Sequence, residues 1–276
     1  MSPAIRLGGE AAESWREPPV AARRHGRIGR DRVSVGGVPT RAVWSVGHGT
    51  PTVLLHGWMD NADTWLSVLE RMAADRRSAI AYDLPGFGVA PPLGPGGILD
   101  QLTDFAAAAV ERVADASGER VTVAGNSLGG WIALRLAARR DLPIAGVVPI
   151  GPAGIRMASL FFTVDRLPGV AQVIGMPAPV PVGVLRSVVG GLYRTLAYAD
   201  GAMVDPGAIE RFVRFNLDRP TLRQRIEYAK RMRADLADPF DAAAIQVPVH
   251  AIWGELDRLC PVEGADLLRS MLPAAR

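Results

Sequence analysis

Residues 121–140 read VTVAGNSLGGWIALRLAARR, and this stretch decides the fold. Val121 to Ala124 is a short apolar run suited to a buried strand, Gly125 to Gly130 is a sharp turn, and the rest, to Arg140, has helical spacing. Leu128, Ile132 and Leu136 recur at four-residue intervals with Trp131, Leu134 and alanines on the flanks, which predicts a buried helix. Gly125 and Gly129 flank Ser127; glycine there lets strand and helix approach closely around a strained backbone that lifts the serine hydroxyl to the top of a sheet. The serine then stands at a helix N-terminus, where unpaired N–H groups and the positive end of the macrodipole favour a developing negative charge.

Outward from this unit the same alternation repeats. Thr52 to Leu55, Ser78 to Tyr82, Ile144 to Ile150 and Val247 to Trp253 are short apolar runs with little alternation, as expected of strands buried on both faces of a parallel sheet. Thr64 to Ala74 and Leu99 to Ala116 are long enough for crossover helices, so the chain reads as an α/β layered fold. Arg32 to Val38 and Arg41 to Val46 alternate around Gly36-Gly37, which predicts a hairpin at a sheet edge. Between residues 153 and 237 the rhythm is lost, with helical stretches over Pro206 to Asn216 and Thr221 to Leu236; this is expected to be a lid inserted after the sixth strand. The basic run Arg223, Arg225, Lys230, Arg231 and Arg233 is expected on a solvated helix face. The expected organisation is a flexible arm over 1–30, core over 31–152, lid over 153–237 and core again over 238–276.

The bulk numbers bound the function. A chain of 276 residues that is 49% hydrophobic buries one large core with a small addition rather than two unrelated domains. The net charge of +3 comes from scattered arginines, Lys230 being the one lysine, so no nucleic-acid footprint is read. The single cysteine, Cys260, excludes an internal disulfide and a cysteine-rich metal site. Residues 1–30 hold no apolar stretch long enough for a secretory signal, and the low-charge stretch from Leu167 to Leu185 is interrupted by prolines, so a cytoplasmic protein without a membrane span is expected.

Four motifs fall in order after predicted strands: His56-Gly57-Trp58-Met59, Asp83-Leu84-Pro85-Gly86-Phe87-Gly88, the turn at Gly125 to Gly130, and Gly254-Glu255-Leu256-Asp257. Together they resemble the α/β-hydrolase superfamily from about Arg32 onward, and the turn around Ser127 resembles its nucleophile elbow. The resemblance implies a mostly parallel sheet flanked by helices, with ligand at the carboxyl ends of the strands. It implies Ser127 as nucleophile, the N–H groups of Trp58 and Leu128 as oxyanion hole, and Asp257 as the acid that orients the base. His56, Gly57, Gly125 and Gly129 become structural residues near the site, and Asp83 is expected to brace the turn before Gly86. No metal or organic cofactor is implied, the partner is a small-molecule substrate, and the fold allows a homodimer through a sheet edge or the lid.

Haloalkane dehalogenases and epoxide hydrolases of this fold carry an aspartate where this chain has Ser127, so their chemistry is disfavoured. The elbow and Gly151-Pro152 are similar to those of meta-cleavage-product C–C hydrolases, but Trp58-Met59-Asp60-Asn61 lacks the glycine-rich form of that group. The expectation is an ester hydrolase for a small, largely apolar ester, the apolar stretch from Leu160 to Ile174 suggesting the acyl preference; a C–C hydrolase is the alternative. Arg156, Arg186 and Arg194 are the arginines considered for a substrate carboxylate.

In this superfamily the base is a histidine on a loop after the last strand. The 19 residues after Asp257 hold none. His25 lies in the arm, His48 at the far end of the sheet from Ser127, and His250 inside a strand expected to be buried. The expectation is therefore that the final strand, the following helix and a catalytic histidine continue beyond Arg276, with Met271 to Arg276 as the lead-in. The alternative is a catalytically impaired binding protein that ends at Arg276.

Overall fold

The computed structural model describes residues 28–158, 180–236 and 240–276, together with Val170. The expected arm up to residue 27, and the apolar stretch from Leu160 to Ile174 apart from Val170, lie outside the described residues.

Strands β1 (Ile28–Val35) and β2 (Val38–Ser45) form the expected antiparallel hairpin, closed by Gly36 and Gly37 at φ 54° and 80°. A two-residue turn with both φ values positive matches the right-handed twist of the flanking strands, and glycine adopts it without strain. Ile28, Gly29 and Arg30, expected to end the arm, instead pair with Ser45, Trp44 and Val43 and belong to β1. Then follow β3 (His48–Leu55), β4 (Arg77–Tyr82), β5 (Val121–Asn126) and β6 (Ile144–Ile150), in sheet order β1-β2-β4-β3-β5-β6. β4, β3, β5 and β6 are mutually parallel, while β2 meets β4 antiparallel.

Both faces of the sheet are covered. Val53 and Leu55 point into a core with α2 (Ile98–Ser117) and α3 (Leu128–Ala137), whereas Leu54 packs on the other face with Trp65 and with Leu69 of α1 (Leu66–Ala74). The period of two along a strand makes this division, and it explains why the parallel strands read as unbroken apolar runs. Every residue of α3 except Arg135 is buried, as its sequence predicts.

After β6 come α4 (Val182–Ala197), α5 (Pro206–Arg214) and α6 (Arg219–Asp235), and later α7 (Glu263–Met271). Asp205 and Asp218 cap α5 and α6, each accepting a first-turn N–H at 2.8 Å, with proline within the first two positions where its missing N–H costs nothing. α4 and α5 join through Leu185, Val189, Phe212 and Val213.

Two expectations are corrected. Arg225 does not lie on a solvated face: it is buried, its guanidinium 4.7 Å from the Phe87 ring centroid, because α6 lies against the loop after β4. Val247 to Trp253 is not a strand buried on both faces. It meets β6 through isolated parallel bridges at Val249 and Ile252, and the His250 side chain and Ile252 are exposed. On its outer side, among the described residues, Arg276 alone continues the ladder, donating its N–H to Val249 O (3.0 Å) and accepting from Ala251 N (2.7 Å).

Candidate active site

Ser127 sits between β5 and α3 at φ 52° and ψ −110°, a conformation rare for a residue with a side chain. Neighbouring backbone over-determines it. Ser127 N–H donates to Ile150 O at the end of β6 (2.8 Å), and Ser127 O accepts from Trp131 N and Ala153 N (both 3.0 Å). A Cβ on Gly125 would lie 2.1 Å from Gly129 O, and one on Gly129 2.1 Å from Leu55 O, so the elbow closes only with glycine at both positions. Leu128 opens α3, and its N–H has no acceptor inside that helix.

The loop after β3 lies directly against the serine, since a Cβ on Gly57 would be 3.6 Å from Ser127 Cβ. His56 is wholly buried behind it. Its Nε2 accepts Leu84 N–H (2.9 Å), which assigns the ring proton to Nδ1, and Nδ1 donates to Gly57 O (2.8 Å). Burial pushes its imidazole down to about 4, so it is neutral and both nitrogens are occupied. It ties the loop that carries Trp58 to the loop after β4.

Asp83 does more than brace the turn before Gly86. Oδ1 accepts Ala62 N–H (2.8 Å) and Arg41 Nη2 (3.1 Å), and Oδ2 accepts Val89 N–H (2.9 Å) and Arg41 Nε (3.1 Å). Arg41 also pairs with Asp63 at 2.9 Å. One buried cluster thus holds the loops after β3 and β4 in mutual register.

Asp257 comes from the loop after the Val249–Ile252 bridges. Its Oδ1 accepts Leu259 N–H (2.9 Å) and Cys260 N–H (2.8 Å), while Oδ2 faces the turn after β6, where a Cβ on Gly151 would lie 2.9 Å away. Cys260 is buried beside Asp257, to which its N–H donates, and lines the same cavity as Ser127. Burial, reinforced by Asp257, pushes its thiol up to about 12. Iodoacetamide at about pH 8 is therefore expected to leave Cys260 unmodified in the folded chain and to alkylate it at least about a hundredfold faster after unfolding; comparable rates in a mass-spectrometric time course would contradict this burial.

Gly57, Trp58, Ser127 and Asp257 line one cavity of about 730 Å³, within the ordinary range of small-molecule sites. Leu128, Gly125 and Gly129 lie behind the serine. Leu192, Leu196 and Phe212 supply apolar wall from α4 and α5. Arg258 binds this wall to the core by donating to Thr195 O (3.3 Å) and Ala199 O (3.2 Å). Arg156, Arg186 and Arg194 are not among the lining residues. Sequence reasoning missed Asp60, Cys260 and Arg258 as wall residues. Asp60 and Arg258 adjoin recognised motifs, which was the available signal, but their orientation depends on elements far along the chain.

The chain is 29% identical over 224 residues to the dihydrolipoyllysine-residue acetyltransferase component of acetoin cleaving system of Pseudomonas putida, covering 79% of this chain and 54% of that protein. It therefore spans about half the length of that relative. It is 25% identical over 236 residues to the pimeloyl-[acyl-carrier protein] methyl ester esterase of Aeromonas salmonicida (strain A449), covering 83% and 85% of the two chains. The solved 2-hydroxy-6-oxo-6-phenylhexa-2,4-dienoate hydrolase of Rhodococcus sp. strain RHA1 shares its fold, with a TM-score of 0.68 over 91% of this chain and 89% of that chain at 22% identity. The sheet order, the serine turn and a match of residues 52–275 to the family model agree: this chain belongs to the alpha/beta hydrolase family.

Proposed function

We propose that this protein is a serine hydrolase that cleaves a small, largely apolar carboxylic ester through an acyl-enzyme on Ser127. The observation that carries the reading is the placement of Ser127, at φ 52° on a strand-to-helix turn, in one cavity with Asp257 and Trp58. Ser127 Oγ attacks the ester carbonyl and its proton passes to a histidine oriented by Asp257. The N–H groups of Trp58 and Leu128 hold the tetrahedral oxyanion, the alcohol departs with that proton, and water releases the acid from the acyl-enzyme. α4 and α5 act as the lid that keeps this cavity dry.

Among the described residues no histidine is available to Ser127: His56 has both nitrogens engaged, His48 begins β3 at the opposite end of the sheet, and His250 is exposed at the sheet edge. Turnover thus requires a histidine from outside the described residues. Support for the ester class comes from the apolar cavity wall and from the similarity to an ester-cleaving relative. Cleavage of a C–C bond is the second reading, favoured by Gly151-Pro152 after β6. Its substrates carry a carboxylate, and the arginine lining the cavity, Arg258, is engaged by backbone carbonyls.

The test is reaction with a fluorophosphonate followed by peptide mapping. An adduct on Ser127 is expected. Hydrolysis of p-nitrophenyl butyrate by protein that carries its adduct elsewhere would overturn the assignment, and absence of both adduct and hydrolysis would favour the binding-only alternative.

A further inference from the structure

The proposed hydrolytic steps leave one buried carboxyl of the cavity wall unused. Asp60 is 8% exposed and follows Met59, which is held at φ 61°. Its Oδ1 accepts Asn61 N–H at 2.9 Å, and both Asp60 and Thr64 line the cavity onto which Ser127 opens.

Three carboxylates lie on this short segment and the one after β4, and they are treated differently. Asp63 and Asp83 are both paired with Arg41. Among the described residues no ion pair includes Asp60; Arg211, the cation nearest in effect, is itself paired with Asp205 at 2.9 Å. The bond from Asn61 N–H does not call for a charge, since an asparagine oxygen would accept it without the cost of burying an anion. A buried carboxylate that lacks a cation and faces a ligand cavity is unfavourable for folding alone, and it is accounted for if a ligand completes it.

We propose that Asp60 is the specificity-determining residue of this cavity, binding a hydrogen-bond donor on the substrate, a hydroxyl or an ammonium, and rejecting a carboxylate at that position. The inference rests on the reading of the Ser127 cavity as the substrate site and names the substrate class it takes: esters whose largely apolar chain carries a donor. It also separates this site from one built for a substrate anion.

Burial raises the Asp60 carboxyl to about 7, so its charge develops around neutrality. The groups that face it are Tyr193 from α4, Arg211 from α5 and Asp83 from the loop after β4. Burial keeps the Tyr193 phenol well above its ordinary range and hence neutral in this window. A rise in pH therefore strengthens the attraction for an ammonium and the repulsion of a carboxylate.

The test is affinity, measured by ligand-observed NMR titration of the full chain carrying Ser127→Ala, so that no probe is turned over. The probes are methyl hexanoate and its analogues ending in hydroxyl, ammonium and carboxylate (methyl hydroxyhexanoate, methyl aminohexanoate and monomethyl adipate). At about pH 8 the hydroxyl and ammonium probes are expected to bind about tenfold tighter than methyl hexanoate, and the carboxylate probe about tenfold weaker. Asp60→Asn should bring the ammonium and carboxylate probes to within about twofold of each other. In the protein with Asp60 intact, the ratio of ammonium to carboxylate affinity should fall at least about fivefold between about pH 8 and about pH 6, a readout that needs no further variant. Equal binding of the probes, no binding at all, or an order that survives Asp60→Asn overturns the inference. If only the hydroxyl probe is favoured, the donor is neutral and the ammonium arm is rejected. The result is independent of whether Ser127 is a nucleophile, which the fluorophosphonate experiment decides separately.

Discussion

Turnover of p-nitrophenyl butyrate is expected to fall by about a millionfold when Ser127 is replaced by alanine, to what the oxyanion donors and binding alone sustain. The expectation follows from geometry. The turn that presents the hydroxyl is held by backbone bonds of Ser127 to Ile150, Trp131 and Ala153, which an alanine keeps. Alanine therefore removes the proposed attacking oxygen while leaving Trp58, Leu128 and Asp257 in place. The loss should appear in kcat with little change in KM, because the missing interaction is made on the way to the transition state rather than in substrate binding. Steady-state kinetics on the hydrolytically active protein, with circular dichroism to confirm the fold, decides it. Retention of more than about 1% of kcat would mean that another group is the nucleophile.

The second large effect is on stability. Asp83→Ala is expected to destabilise the fold by about 3–5 kcal/mol, the range for removing one partner of a buried ion pair. Asp83 is fully buried and its two oxygens accept from Ala62, Val89 and two nitrogens of Arg41, so the substitution strands two backbone donors and takes one of two carboxylate partners from the partly buried Arg41 guanidinium. Arg41 retains Asp63, which keeps the effect below that of a wholly unpaired charge. A urea titration should show a lower midpoint with an unchanged slope, since the unfolded chain exposes the same surface. A loss below about 1 kcal/mol would mean that the cluster is surface-like in strength. The damage should also reach the cavity, because Ala62 follows directly on the loop that carries Trp58 and Asp60.

The local pattern carried most of the architecture. β5, the elbow and α3 are contiguous in sequence, and their apolar spacing and flanking glycines suffice to describe strand, turn and buried helix. The hairpin is equally local, because Gly36 and Gly37 supply both positive φ values. Site candidates were legible for the same reason: Trp58, Ser127 and Asp257 each stand at the end of a strand-like run, and parallel strands place such ends on one edge.

What lay beyond the sequence were properties set by partners far along the chain. Arg225 reads as one more basic residue of a solvated helix, yet it is covered because α6 meets Phe87, more than a hundred residues earlier. Asp60, Asp63 and Asp83 are indistinguishable as letters; Arg41 on β2 neutralises two of them and leaves the third to the cavity. Val247 to Trp253 has the composition of a central strand, but composition does not say how far the segment pairs; it meets β6 only through isolated bridges, and His250 is exposed. The sequence by itself determined the hairpin, the parallel strands and crossover helices of the core, and the turn that raises Ser127, since propensity, periodicity and glycine act over a few residues. Only the tertiary structure decided which charges are paired, which are buried and which face the cavity, because burial and electrostatic pairing are relations between surfaces that the chain brings together only once it has folded.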